Sequence, residues 1–411
     1  MTLLRGFIFA LFLLISVPVQ LYLFSALRSY VRQRIHDARW HRNLISFSAC
    51  FFVLMFLPIA WRAYFGLYGD LRYSGFFRGL LTTSSIWWVG SVGCAVMLFG
   101  YSLFRQFILR SKSAPAALPD PGRRAFLRKG AGMAVAAPFM VSGYGVLVER
   151  RRFALEHFDI HISGLSSALA QFSIVQLTDI HVGPFMSPEE LAEYVEAVNR
   201  LQPDVIALTG DFVTGNQDEV APCVTTLAGL KARYGVFACL GNHDIHAGVV
   251  SSLTHGFAGK GIQTLRNDSA TLRVGDSKIA FLGIDDLKRG HPNLPRALAT
   301  EQKNPAEVKI LLSHRPEIFP TAARSGIDLV LSGHYHGGQV KLLPEPGGLS
   351  IASFLTPYAE GLFRLPRTAK ITEGGDPRAG SLFVGRGVGI TGLPIRINCP
   401  PQIAHLRLIK A

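Results

Sequence analysis

FSIVQLTDIH, residues 172–181, is an apolar, β-branched run that ends on two metal-binding side chains, Asp179 and His181. Four later segments repeat the pattern. PDVIALTGD (203–211) ends on Asp211, YGVFACLGNHD (234–244) on Asn242, His243 and Asp244, VKILLSH (308–314) on His314, and IDLVLSGHYH (327–336) on His334 and His336. Such runs read as buried strands of an α/β sheet. Ligands of open α/β folds collect in the crevice outside the carboxyl ends of the strands, so five strand ends can bring together donors that lie far apart in the chain. The set reads as a two-metal hydrolytic site.

The ordered elements are Asp179-Ile-His181, Gly210-Asp211, Gly241-Asn242-His243-Asp244, Ser313-His314 and Gly333-His334-Tyr335-His336. A lone D-x-H or H-x-H is weak, because a buried, hydrogen-bonded histidine explains it as well. All five in this order resemble the calcineurin-like metallophosphoesterases over about residues 155–410, with VGRGVG (384–389) and PQIAHLRL (401–408) included. Within that superfamily the chain is most similar to the bacterial, membrane-associated YkuE/YaeI-type phosphodiesterases. The resemblance implies a four-layer αββα sandwich preceded by a helical transmembrane region; periodicity alone gives only α/β.

Carried over by position, the resemblance assigns Asp179, His181 and His336 to one metal and Asn242, His314 and His334 to the other, with Asp211 bridging. His243 is then the non-ligand histidine that protonates or stabilises the departing oxygen, and Asp244 its orienting carboxylate. The cofactors expected are two divalent ions, Mn, Fe or Zn, because carboxylates offset their charge and imidazoles suit borderline metals. Lowering the pKa of water from about 15.7 to about 7 raises the hydroxide fraction by roughly eight orders of magnitude, which makes water ionised by the metals the expected nucleophile. Gly210, Gly241 and Gly333 read as points of close backbone approach or as tight turns. Arg315 and Arg386 are candidate phosphate contacts or structural residues, and His246 a candidate near the leaving group or a surface histidine.

The 411 residues carry 42 Lys/Arg against 28 Asp/Glu, a formal charge of +14. The excess is local. Residues 1–152 hold 19 basic against 4 acidic side chains, leaving 23 against 24 for residues 153–411. A balanced catalytic part offers no broad cationic groove, so nucleic acid is not an expected partner. The mean hydropathy of +0.27 is high for a soluble enzyme, and its source is the same N-terminal part. Residues 6–27, 43–61, 79–104 and 130–148 contain no charged side chain, and each approaches or exceeds the ~20 residues that cross a bilayer as a helix. Gly, Ala and Pro138 dilute the fourth. All four tryptophans, Trp40, Trp61, Trp87 and Trp88, fall in this part, two of them near span ends.

The expected organisation is a three-helix transmembrane region (1–110), a Pro- and Ala-rich linker (111–129), a fourth, signal-anchor helix (130–152) and the metallophosphoesterase domain (153–411). Lys/Arg counts of five, three, seven and three in successive connections put the N-terminus and the catalytic domain outside the cytoplasm, in a multi-pass inner-membrane protein. Residues 122–129, GRRAFLRK, resemble a twin-arginine export signal, or form an ordinary basic flank. Cys223, Cys239 and Cys399 show no CxxC spacing and carry no assigned role.

Ser187, Pro188 and Glu190 spell a capping box with proline at the first helical position. VGRGVG and IAHLRLI read as late strands. The segment 347–365, GGLSIASFLTPYAEGLFRL, has two readings, an apolar rim facing lipid or an edge packed into the core. The expected activity is hydrolysis of a phosphodiester or pyrophosphate-linked diester. The lipid bilayer is the expected partner, and a phospholipid or nucleotide-linked glycolipid is one substrate class. The competing reading is a membrane metal sensor or scaffold without turnover.

Overall fold

The computed structural model describes residues 2–65, 75–110, 121–344, 348–365 and 380–411. The described residues separate into two compact units, one within residues 2–148 and the other within 149–411. The first contains four long helices, α1 (Thr2–Arg34), α2 (Ala38–Phe65), α3 (Gly75–Arg110) and α4 (Pro121–Leu147). Each is long and apolar enough to cross a membrane. The helices overrun the charge-free stretches because Arg, Lys and Leu are strong helix formers. For that reason α4 starts at Pro121, so that residues 121–129, expected as linker, are its first turns and the arginine pair lies within the helix. Residues 111–120 lie outside the described residues.

Trp87 and Trp88 sit inside α3. Their indole N–H groups donate to Gln20 Oε1 (3.0 Å) and Ser16 Oγ (2.9 Å) of α1. Where no water competes, such bonds hold helices together.

The second unit is built on twelve strands among the described residues: β1 (Ala154–Ile162), β2 (Ser173–Leu177), β3 (Val205–Thr209), β4 (Gly235–Cys239), β5 (Ile262–Thr264), β6 (Asp268–Val274), β7 (Ser277–Gly283), β8 (Val308–Leu312), β9 (Leu329–Ser332), β10 (Gly361–Leu365), β11 (Gly380–Val384) and β12 (Gln402–Lys410). They form two six-stranded sheets, ordered β1-β12-β2-β3-β4-β5 and β10-β11-β9-β8-β7-β6. In the first, β2, β3, β4 and β5 run parallel; in the second, β7, β8, β9 and β11 do. The helices are α5 (Pro188–Arg200), α6 (Val220–Leu227), α7 (Asn242–His246), α8 (Val250–Ala258), α9 (Leu294–Glu301), α10 (Phe319–Arg324) and α11 (Ile351–Leu355).

The alternation of side chains along a strand explains why both strand faces are apolar. Val205, Ala207 and Phe237 point into a core shared with Phe281, Ile310 and Leu331 of the other sheet. Ile206, Leu208 and Val236 point the other way, onto Leu191, Val195 and Leu253 of α5 and α8. Leu282, Leu311 and Val330 meet Leu294 and Phe319 of α9 and α10. Three cores between four layers make the αββα sandwich. Phe237 and Phe281 stack across the sheets at 4.9 Å with rings 4° from parallel. The capping box is present: Ser187 Oγ accepts from Glu190 N–H, and the Glu190 carboxylate accepts from Ser187 N–H.

Two late segments depart from expectation. IAHLRLI is part of β12, but VGRGVG is not a strand beyond Val384. Val388 N–H and Gly389 N–H leave the ladder to donate to the carbonyls of Thr178 (3.0 Å) and Asp179 (2.7 Å), so the segment braces the end of β2. The segment 347–365 divides. Tyr358, Phe363 and Leu365 pack on the α9–α10 core, whereas Leu349, Ile351, Phe354 and Leu355 are exposed.

Candidate dinuclear metal site

The seven expected ligands converge at the carboxyl ends of β2, β3 and β4 in one sheet and β8 and β9 in the other. The two sheets are tied there by Gln176, whose Nε2 donates to Thr209 Oγ1 (2.7 Å) and to the Ser332 carbonyl (2.9 Å). All seven are buried except His334, which is partly open. Asp179, His181, Asp211, His334 and His336 adopt positive φ, between 51° and 78°, where non-glycine residues are held at a cost of about 1 kcal/mol or more each. Backbone bonds between the loops compensate: Asp179 N–H to Gly210 O (3.0 Å), His181 N–H to Asp211 O (2.9 Å) and Gly333 N–H to His314 O (3.0 Å). The Asp179 carboxylate also accepts the His334 N–H (3.0 Å). Glycine is required at 241 because a β-carbon there would collide with the Asp211 carboxylate.

The donors form two groups. In one, His336 Nε2 lies 3.2 Å from Asp179 Oδ1 and 3.2 Å from His181 Nε2, which is 3.5 Å from Asp211 Oδ2. In the other, His314 Nε2 lies 3.2 Å from each of Asp211 Oδ2, Asn242 Oδ1 and His334 Nδ1. Asp211 Oδ2 belongs to both, the position of a bridging ligand. Donors about 2.0–2.2 Å from a shared cation, at tetrahedral to octahedral angles, stand roughly 2.9–3.5 Å apart. The observed separations fit that range, so the residues fit a pair of divalent ions of the borderline class.

Burial pushes His181 and His336 down to about 3 and His334 down to about 2, which keeps these imidazoles neutral, the state that ligates. Burial also works against a charged His314, but the Asp211 carboxylate overcomes it and raises His314 to about 10. Without a cation, that proton is what neutralises Asp211. His314 Nδ1 donates to the Thr209 carbonyl (2.9 Å), which fixes Nε2 as the inward-facing nitrogen.

His243 stands beside the cluster, its ring 4.6 Å from that of His181 and its backbone N–H on Asp211 Oδ1 (2.8 Å). Its Nδ1 donates to the Thr214 carbonyl at 2.8 Å. Asp244, expected to orient His243, has another task. Its carboxylate accepts four backbone N–H groups, from Gly241 (2.8 Å), Asp211 (3.0 Å), Phe212 (2.8 Å) and Val213 (3.3 Å). A carbonyl replaces the carboxylate as the partner of Nδ1, and Asp244 instead fixes the loop that carries Asp211. Burial, with the Asp211 charge, raises Asp244 to about 7 against those four donors.

Arg315 is buried beside the second group, its Nε on Asp286 Oδ2 (2.7 Å), one Nη on Asn242 Oδ1 (3.1 Å) and the other on His334 Nε2. Asp286 was not singled out in the sequence, although Asp285-Asp286 follow β7 in the same strand-end position as the ligands. Arg386 is turned to Glu156 (2.6 Å) and the Pro400 carbonyl, a structural role. Arg396, fully buried, donates to the carbonyls of Arg386, Gly387, Gly389 and Cys399 and holds the segment behind Asp179.

Residues 172–338 match the family model described as calcineurin-like phosphoesterase. The chain is 30% identical over 295 residues to the uncharacterized metallophosphoesterase YkuE of Bacillus subtilis, an alignment covering 70% of this chain and 97% of that protein. The chain belongs to the calcineurin-like metallophosphoesterases. A bovine transmembrane protein with metallophosphoesterase domain is 29% identical over 308 residues, 71% of this chain and 65% of its own length. An uncharacterized metallophosphoesterase of Helicobacter pylori (strain J99) is 30% identical over 294 residues, 70% of this chain and 72% of that one. The transmembrane relative and the four apolar helices together support membrane association for this metallophosphoesterase.

Proposed function

We propose that this metallophosphoesterase is a membrane-anchored phosphodiesterase that cleaves a phosphodiester or pyrophosphate-linked diester, a lipid-linked one among them. The carrying observation is the pairing of two donor groups sharing Asp211 with a histidine, His243, that lies beside them and whose Nδ1 proton is committed to Thr214. Two divalent cations would supply Lewis acidity toward the phosphoryl oxygens and lower the pKa of water. The protein supplies the rest. With Nδ1–H fixed, Nε2 of His243 is the nitrogen that carries a proton to the departing alkoxide, a step that such positioned acids accelerate by about 10²–10⁴-fold. Asp244 holds Asp211 in place, and Arg315 holds the Asn242 amide oxygen and the His334 ring. A sensor or scaffold without turnover has no need of a histidine so placed.

The full chain with Mn²⁺ should hydrolyse a bis-aryl phosphodiester and lose that activity to chelator. Asp211→Ala and His334→Ala should abolish it together with metal content. Turnover by Asp211→Ala would overturn the assignment. The catalytic unit is proposed to face outward from the cytoplasmic membrane, on the strength of the basic residues flanking the spans. A phosphatase reporter fused after Arg152 should be active, and the double change Arg123→Lys with Arg124→Lys should block it if the twin-arginine route is used.

A further inference from the structure

Among the described residues of the catalytic unit, nine large apolar side chains are exposed, and seven of them fall between Val340 and Leu355. Leu342 (71%), Leu343 (57%), Leu349 (50%), Ile351 (73%), Phe354 (78%) and Leu355 (71%) form one apolar ledge. It is a built feature. Ser350 caps α11, the Leu342 N–H donates to the Leu349 carbonyl (2.9 Å), and Lys341 and Ser350 form an antiparallel bridge. The ledge is also fastened to the metal centre: the turn His336–Gly338 packs on α11, with Gly338 too close to Ser350 to admit a β-carbon. Exposed apolar patches of this density in a soluble unit mark interaction surfaces.

We infer that this ledge inserts into the interface of a lipid bilayer and so presents the metal centre to phosphoesters at the headgroup level. The inference rests on the proposed reading that the chain is membrane-anchored. The occupant is argued from the chain itself. Four membrane-length helices tether the catalytic unit, and α4 ends at Leu147, close in sequence to β1 at Ala154, so a bilayer is the apolar phase always at hand. Residues 346–359 contain no charged side chain, and the Lys341 ammonium is buried and paired with Glu360, which suits insertion. Apolar insertion of that kind does not depend on ionic strength, in contrast to attachment through basic residues.

The test is site-directed spin labelling of the full chain reconstituted in phosphatidylcholine vesicles. Cys50 is the exposed native cysteine of α2; Cys94, Cys223, Cys239 and Cys399 are buried. Label on Cys50 reports anchoring. Labels on Phe354→Cys and, separately, Leu342→Cys, both with Cys50→Ser, report the ledge, and Glu196→Cys on α5 serves as the water-exposed reference. Expected is greater collision with oxygen than with a water-soluble nickel complex at 354 and 342, unchanged at about 1 M NaCl, and the reverse at 196. A water-like profile at both ledge positions, with Cys50 immersed, overturns the inference and leaves the anchored reading standing. Labels inaccessible to both agents would mean that protein covers the ledge, and would overturn it equally. A water-like Cys50 would sink the anchored reading and the inference with it. In addition, Phe354→Ser with Leu355→Ser should lower the ratio of rates on a vesicle-embedded diester and a soluble bis-aryl diester at least tenfold; an unchanged ratio counts against the ledge.

Discussion

The Nδ1 of His243 lies 2.8 Å from the carbonyl oxygen of Thr214. A carbonyl can only accept, so the bond sets the tautomer without placing a charge behind the ring. His243 is thereby oriented by backbone, while the adjacent Asp244 organises four N–H groups of the Asp211 and Gly241 loops.

Separate consequences follow for the two neighbours. His243→Ala should leave metal content near that of the parent and lower the turnover of a bis-aryl diester by about 10²-fold or more. Asp244→Asn should act through stability, because its amide nitrogen would face N–H donors and leave at least one unpaired, at a cost of about 2 kcal/mol. Denaturant unfolding measures it. An unchanged midpoint with a displaced acid limb in the pH–rate profile would return Asp244 to the role of partner to His243.

Arg315 and Asp286 form a buried ion pair at 2.7 Å. Breaking such a pair from one side leaves a buried charge and costs about 3–5 kcal/mol. Arg315→Met should therefore lower the unfolding free energy by that order and weaken binding of a metal at the proposed Asn242–His314–His334 group before binding at the other group. Metal titration followed calorimetrically would separate the two; equal weakening of both would refute the placement.

Arg396 is the cation behind Asp179; its two Nη atoms donate to four carbonyls and to no carboxylate among its described hydrogen bonds. Burial lowers its pKa from the ordinary arginine value. Arg396→Met should strand those carbonyls and loosen residues 386–389. Hydrogen exchange at the amides of Val388 and Gly389, which bond Thr178 and Asp179, should accelerate strongly in the variant. Unaltered protection there would show that the segment is held by packing alone.

The metal-free protein should have a stability optimum near pH 6.5–7. His181, His336 and His334 have folded values far below their unfolded value of about 6.5. Between pH 6.5 and about 3 the unfolded chain therefore binds three more protons at these positions, and stability is lost as the pH is lowered. Asp244, raised to about 7, opposes this with one proton, since its contribution is lost as pH rises from about 4 to 7. His314, raised to about 10, contributes stability that is lost as pH rises from 6.5 to 10. Thermal unfolding in chelator across pH 4–10 checks the shape. Saturating divalent metal should remove the alkaline decline, because a ligating His314 carries no proton on Nε2.

The sequence by itself determined the five strands that end at the site, β2, β3, β4, β8 and β9, the late strand β12, the capped helix α5, the four apolar helices and the seven candidate metal donors. Those properties are local: residue type, period and strand-end position suffice to specify them, and buried strands of an αββα sandwich show their burial as unbroken apolar runs. What only the tertiary structure decided concerns the partners of buried polar groups. Asp244 is close to His243 in the chain, yet its oxygens go to the amides of residues 211–213, because packing of β3 beside β4 brings those N–H groups to it. VGRGVG reads as a strand, but past Val384 its amides scatter: Gly385 donates to Ser332, Arg386 to Gln402, and Val388 and Gly389 to Thr178 and Asp179. Leu349, Phe354, Tyr358 and Phe363 are equally apolar in sequence. Tyr358 and Phe363 pack on the core of α9 and α10, whereas Leu349 precedes the Ser350 cap and Phe354 lies on the face of α11 away from the buried Ala352, so both stay exposed.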